Sequence, residues 1–171
     1  MEAFIKALNF LDRLVLATLK AFTIGLFLLL TLLISANVFV RFVPVVSMHW
    51  FDEIIELLYA YLVFFGAAAL WISRDHLKIG DWVSGRVIRT PGAQKVYRLA
   101  LETTALVFAV LFTFYSARLT ALALDVTNVF AIPKKVLYAC MPVSGALMTV
   151  YALRHCAAAL AGLLKADGPE A

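Results

Sequence analysis

Long apolar stretches separated by short polar segments dominate the pattern of this chain. A helix needs about 20 apolar residues to cross a hydrocarbon core of about 30 Å. Four stretches are long enough, and they predict helices over about residues 14–40, 50–73, 91–124 and 136–164. The sequence therefore predicts an all-α membrane protein with four tilted transmembrane helices, since the longest stretches exceed the thickness of the hydrocarbon core.

Composition supports the same class and leaves no room for a soluble domain. The chain has 171 residues, of which 64% are hydrophobic and 15% charged, and its mean hydropathy is +0.93. Soluble domains are about 45–50% apolar. We interpret residues 1–171 as a single integral membrane domain. Residues 1–13 carry acidic as well as basic side chains, so we expect an amphipathic entry at the inner surface rather than a signal peptide.

The distribution of Lys and Arg predicts the orientation. The four helices place eleven of the fifteen Lys and Arg residues on the side of the N-terminus and four on the other side. Basic residues favour the cytoplasmic side, so both termini are predicted to be inside, in a bacterial inner membrane. The net charge of +4 follows from this bias and gives no reason to expect a nucleic-acid partner. Residues 77–90 carry spaced apolar side chains that predict a short amphipathic surface helix between helices 2 and 3.

An acidic cluster opens the second helix and continues as a stripe of small side chains. His49, Asp52, Glu53 and Glu56 are spaced i, i+3, i+4 and i+7, which places them on one helix face. Lipid cannot satisfy carboxylates, and small residues let another helix approach closely. We therefore predict that this face binds protein, although a helix N-terminus also favours acidic residues.

Two sets of residues follow from this prediction. Arg41 and Arg118 are assigned to the same membrane level as the carboxylates and are predicted to be their counter-charges. The predicted partner-binding set is Arg41, His49, Trp50, Asp52, Glu53, Glu56 and Arg118. The predicted helix-packing set is Ala60, Gly66, Ala67 and Gly145. We also expect an i, i+4 pair between Arg98 and Glu102, and a kink at Pro142.

Catalytic, metal and redox chemistry are poorly supported by the sequence. Paired carboxylates can act as acid and base, but His49 alone accompanies them, so we predict no catalytic site. Cys140 and Cys156 lie about 24 Å apart on one helix, too far for a disulfide. No Cys/His spacing fits a zinc site, and no cofactor is expected. One alternative is a haem-binding redox anchor that uses His76 and His155; another is a self-associating membrane scaffold.

Several motifs together resemble a known family. Trp50-x-x-Glu53 is followed by an apolar segment with Gly66, and then by Arg74 and His76. Arg41 precedes them, and Ile132-Pro133, Tyr138 and Pro142 enter the last helix. In length, helix count and motif order, the chain resembles the small membrane subunit (Q-type, DctQ-like) of tripartite ATP-independent periplasmic (TRAP) transporters.

The resemblance implies a non-catalytic role in a sodium-coupled secondary transporter for organic acids. A large membrane subunit would carry the substrate and sodium sites, and a periplasmic substrate-binding protein would deliver the acid. The small subunit would brace the scaffold of the large one, surrounded by phospholipids, and its acidic cluster would contribute to bracing or to docking. The polar residues of the four apolar segments suggest no substrate path of their own.

Overall fold

The structure, a computed structural model, describes residues 2–42, 50–74 and 90–164. His49, His76 and the predicted surface helix before residue 90 lie outside these ranges. The described residues form the helices α1 (Glu2–Phe42), α2 (Phe51–Ile72), α3 (Pro91–Leu122), α4 (Lys134–Tyr138) and α5 (Cys140–Leu164).

Four spans of the described chain are long and apolar enough to cross a membrane, with α4 and α5 forming the last of them. This confirms the all-α fold with four candidate transmembrane helices. Helix α3 begins where the sequence predicts, because Thr90 is extended at the N-cap and Pro91 occupies the first turn. It ends at Leu122, two residues before the predicted end.

Helix α1 is longer than the sequence suggested. It is one helix of 41 residues, about 61 Å long at 1.5 Å per residue, and has no separate entry segment. Neither Gly nor Pro occurs before Gly25, so nothing in the sequence interrupts the first turns. The amphipathic segment therefore continues directly into the transmembrane helix.

The predicted kink at Pro142 appears as a break between α4 and α5 at Ala139. Proline has no N–H to donate to the carbonyl four residues earlier, which here belongs to Tyr138. The hydroxyl of Thr120 in α3 lies 3.2 Å from that carbonyl oxygen and 2.8 Å from the carbonyl oxygen of Ser116 in its own helix, so the two oxygens share its one proton. The hydroxyl of Tyr61 in α2 donates to the nearby carbonyl of Val136 at 2.9 Å. Two neighbouring helices thus satisfy the backbone around the break.

The helices pack in the order α1, α2, α5, α3. The most extensive interface joins α3 to α5, α2 packs on both α1 and α5, and α2 and α3 are joined by side chains. Small residues allow α5 to approach both α2 and α3 closely, around a core of Ala68, Ala109, Met148 and Ala152. Helix α1 buries Leu19, Leu26 and Leu30 and exposes most other large side chains, which suits a helix bordered by lipid.

Candidate partner-binding surface

Glu53 binds the loop that joins α3 to α4. The backbone N–H of Val129 donates to Oε1 of Glu53 at 2.6 Å, and that of Phe130 donates to Oε2 at 3.1 Å. Charged acceptors make stronger hydrogen bonds than neutral ones. Both carboxylate oxygens are therefore committed to a contact within the chain.

The α3–α4 loop (residues 123–133) is itself folded as a small hairpin. Val126 and Pro133 form an antiparallel bridge, and the N–H of Thr127 donates to the carbonyl of Ile132 at 2.9 Å. Ala131 has a φ of 52°, in the left-handed region, where the chain turns back. The tip that Glu53 binds leaves Asn128, Val129 and Phe130 exposed.

Trp50 lies beside this tip. Its ring meets Phe130 edge-on at 6.5 Å between centroids and lies 5.7 Å from Phe51, which is buried. Trp50 and Glu53, the two residues of the resemblance motif, therefore contact the same loop. We call this end of the bundle the loop end.

Asp52 and Glu56 are placed differently from Glu53. Both are exposed, on a helical stripe that continues along α2 through Tyr59, Val63 and Leu70. The stripe is acidic at the loop end and apolar further along. The predicted acidic face is thus divided: Glu53 binds the α3–α4 loop, Asp52 is exposed, and Glu56 is exposed at the edge of a small cavity that Glu53 and the loop also line.

Arg41 and Arg118 do not pair with these carboxylates among the described residues. Both arginines are exposed. Arg118 lies nine residues after Ala109, which is buried against α5, and this separation is two and a half helical turns. It therefore projects away from the bundle. The predicted counter-charge role of both residues has no support within the described chain.

An apolar groove continues from the exposed stripe of α2. It has a volume of about 290 Å³, lies between α2 and α3, and is floored by Met148 of α5. Phe64 stacks on Phe112 at 5.8 Å, and Trp71 stacks on Phe108 at 6.2 Å. The exposed residues Val63 and Leu70 line the groove as well.

The predicted packing residues lie at contacts inside the chain. A Cβ at Gly145 would lie 2.7 Å from Thr113 Oγ1 and 3.0 Å from Phe112 Cδ1, so α3 and α5 approach closely there. A Cβ at Gly66 would meet Thr23 of α1 at an ordinary 3.4 Å. Ala67 packs against the core and lines the groove, and Ala60 is half-buried.

At the opposite end of the bundle, Glu102 pairs with Arg74 rather than with Arg98. Glu102 is only 2% exposed, and Arg74 follows the end of α2 with a left-handed φ of 61°. Arg98 is exposed. The expected i, i+4 pair is wrong because burial directs the carboxylate toward α2. A lone carboxylate in an apolar helix was the sequence signal for this ion pair.

A second ion pair at that end connects α1 to α5. Arg154 Nη1 donates to both carboxylate oxygens of Asp12, at 2.8 and 2.9 Å, and the hydroxyl of Tyr151 donates to Asp12 at 2.9 Å. The sequence reasoning missed this contact, although Asp12 is an acidic residue at the edge of a long apolar segment.

The described residues show no arrangement suited to catalysis or metal binding. No group of three or more His, Cys, Asp or Glu side chains among them could hold a metal ion. Cys140 and Cys156 are both free. The described ion pairs join elements of the chain to each other, and the other charged groups described above lie at its surface.

These features define a small α-helical protein with four spans long and apolar enough to cross a membrane. The family model described as "Tripartite ATP-independent periplasmic transporters, DctQ component" matches residues 30–162, and the chain belongs to this family. A search of curated proteins found no match. The chain is therefore the small, non-catalytic inner-membrane subunit of a TRAP transporter, whose other components are a large membrane subunit and a periplasmic binding protein. This confirms the resemblance.

Proposed function

We propose that the chain braces the large subunit of a sodium-coupled transporter for organic acids, with both termini in the cytoplasm and the loop end in the periplasm. Residues 77–90 would lie on the inner surface as a short amphipathic helix. The observation that carries the bracing role is the exposure of Asp52 and Glu56 at the head of the apolar stripe on α2.

The stripe fits a protein partner better than lipid. A carboxylate in a transmembrane helix costs up to about 3 kcal/mol at the bilayer centre and less near the ends. Asp52 and Glu56 lie in the first two turns of α2, where basic side chains of the large subunit could pair with them. Beyond them, Val63, Leu70 and the aromatic groove offer an apolar surface for a helix of the same partner.

Glu53 has a separate role in this proposal. By binding the N–H groups of Val129 and Phe130, it holds the tip of the α3–α4 loop at the membrane surface. Trp50 packs beside the same tip. We assign the tip to docking of the periplasmic binding protein, and we assign Glu53 to positioning it.

The bracing role is tested by replacing Asp52 with Asn and Glu56 with Gln together. We expect the double variant to lose co-purification with the large subunit, while Asp125→Asn, an exposed carboxylate of the loop, does not. A photo-cross-linking amino acid at Leu70 should join the two subunits, and one at Leu28, exposed on α1, should not. Unchanged co-purification together with equal cross-linking from both positions would contradict the proposal.

The docking role is tested with the series Glu53→Gln and Glu53→Ala. Gln keeps one carbonyl acceptor for the two loop N–H groups and Ala keeps none, so the defect should be larger for Ala. We expect intact assembly with the large subunit, but a higher concentration of binding protein for half-maximal uptake. If uptake falls equally at all concentrations of binding protein, the loop does not serve in docking.

A further inference from the structure

At the end of the bundle opposite the α3–α4 loop, α1, α2 and α5 enclose a cavity of about 170 Å³. Its lining consists of Asp12, Arg13, Leu16, Ile72, Tyr151, Arg154 and His155. We propose that this cavity binds the phosphate group of an anionic phospholipid. The inference is independent of the proposed function and concerns a different surface.

The charge of the lining favours an anion. The carboxylate of Asp12 already accepts hydrogen bonds from Arg154 and Tyr151, so it is neutralised within the wall. Arg13 adds a second guanidinium, which is exposed. Among the described lining residues, two guanidinium groups against one carboxylate give an excess of positive charge.

The geometry of Arg154 leaves donors for a ligand. Both of its hydrogen bonds to Asp12 come from Nη1, at 2.8 and 2.9 Å. The other edge of the guanidinium fork is therefore available, and its side chain is 42% exposed. Planar forks of this kind suit the paired oxygens of a phosphate group.

The apolar part of the cavity distinguishes a lipid from a free anion. Leu16 and Ile72 line it, and Phe10 and Leu14 are exposed on α1 beside Arg13. The cavity lies at the end of the α2 span, where we expect phospholipid headgroups to meet hydrocarbon. A lipid can place its phosphate among the guanidinium groups and its chains along α1, whereas inorganic phosphate would use only the polar part.

A lipid at this place would also strengthen the attachment of α1. Helix α1 packs on α2, and its described link to α5 consists of the side-chain contacts of Asp12. A phosphate group between Arg13 and Arg154 would add a second link between the same two helices. Binding should therefore raise the thermal stability of the chain.

The test uses the full chain purified in a neutral detergent and titrated with three probes. These are a short-chain phosphatidylglycerol, phosphatidylcholine with the same acyl chains, and inorganic phosphate. We expect a saturable rise in Tm with phosphatidylglycerol and about tenfold weaker binding of phosphatidylcholine, a difference of about 1.4 kcal/mol. Inorganic phosphate should have no effect at these concentrations. If inorganic phosphate raised Tm equally, the ligand would be a free anion rather than a lipid, and the proposal would be overturned.

Matched variants distinguish lipid binding in the cavity from a general effect of surface charge. Arg13→Gln should weaken phosphatidylglycerol binding about tenfold, which corresponds to the loss of one charge-assisted contact. Lys20 lies one heptad further along the same exposed side of α1, outside the cavity. Lys20→Gln should therefore change the affinity for phosphatidylglycerol less than twofold. Equal losses in both variants would refute a defined site. Native mass spectrometry of the unaltered chain gives a second check. A defined site predicts that the chain retains more phosphatidylglycerol than phosphatidylcholine.

Discussion

The ion pair between Arg74 and Glu102 gives a sharp prediction, because its two members differ in exposure. Glu102 is 2% exposed, whereas the side chain of Arg74 is 29% exposed. Removing one partner of a buried pair leaves an uncompensated charge, and the cost depends on which charge remains. Arg74→Met leaves the buried carboxylate, and Glu102→Gln leaves the guanidinium that reaches water.

The expected magnitudes follow from this asymmetry. Arg74→Met should lower the free energy of unfolding by about 3–5 kcal/mol. Glu102→Gln should cost about 1–2 kcal/mol, because Gln keeps a carbonyl acceptor for the guanidinium. For a chain of this size, 1 kcal/mol corresponds to about 2–4 °C, so Arg74→Met should lower Tm by about 6–20 °C.

Thermal unfolding of the purified chain, followed by the fluorescence of its three tryptophans, measures these shifts. Trp71 stacks on Phe108 in α3 and reports on the same α2–α3 contact. The double variant should be more stable than Arg74→Met alone, since the stranded carboxylate is then absent. If Glu102→Gln proves as damaging as Arg74→Met, or the two effects simply add, the ion-pair reasoning fails.

Three further predictions concern helix contacts and are measured as the change in Tm from the unaltered chain, with a matched control variant for the first two. Gly145→Ala should destabilise the chain by about 1–3 kcal/mol through the short contact with α3, whereas Gly25→Ala, which meets open space, should not; equal shifts would contradict the close approach. Thr120→Val should cost about 1 kcal/mol by removing a hydroxyl that the carbonyl oxygen of Ser116 and the freed carbonyl oxygen before Pro142 share as donor. Thr104→Val, whose hydroxyl bonds only its own helix, is the control, and its loss should be smaller. Tyr151→Phe should cost up to about 2 kcal/mol by removing one hydrogen-bond donor to the carboxylate of Asp12. An unchanged Tm would mean that Arg154 alone stabilises this carboxylate.

The sequence predicted the spans well because apolar length is a local property. Thr90 and Pro91 marked the start of α3, and Pro142 marked the break before α5, since a missing N–H acts on the residue's own helix. The start of α1 was misplaced because the polar residues of its first turns do not prevent a helix.

The side-chain partners were much harder to predict, because they depend on distant segments. Glu53 was predicted to bind a partner protein, yet the described structure gives it backbone N–H groups 76 and 77 residues away in the same chain. Glu102 has a basic residue at i−4, but its burial selects Arg74 from another helix. Spacing along one helix indicates which side chains of that helix can pair. Burial in the folded chain determines whether such a pair or one with another helix forms.

The way in which the four spans pack on one another has a consequence for the shape of the bundle. A ring of helices can shield a wet lumen from lipid, but in the described chain α2, α3 and α5 meet around small apolar side chains and α1 packs on the outside of α2. Apolar side chains therefore occupy the space between the three central helices. If the chain braces the large subunit as proposed, four spans packed side by side would widen and stiffen the part of the complex that lies in the bilayer.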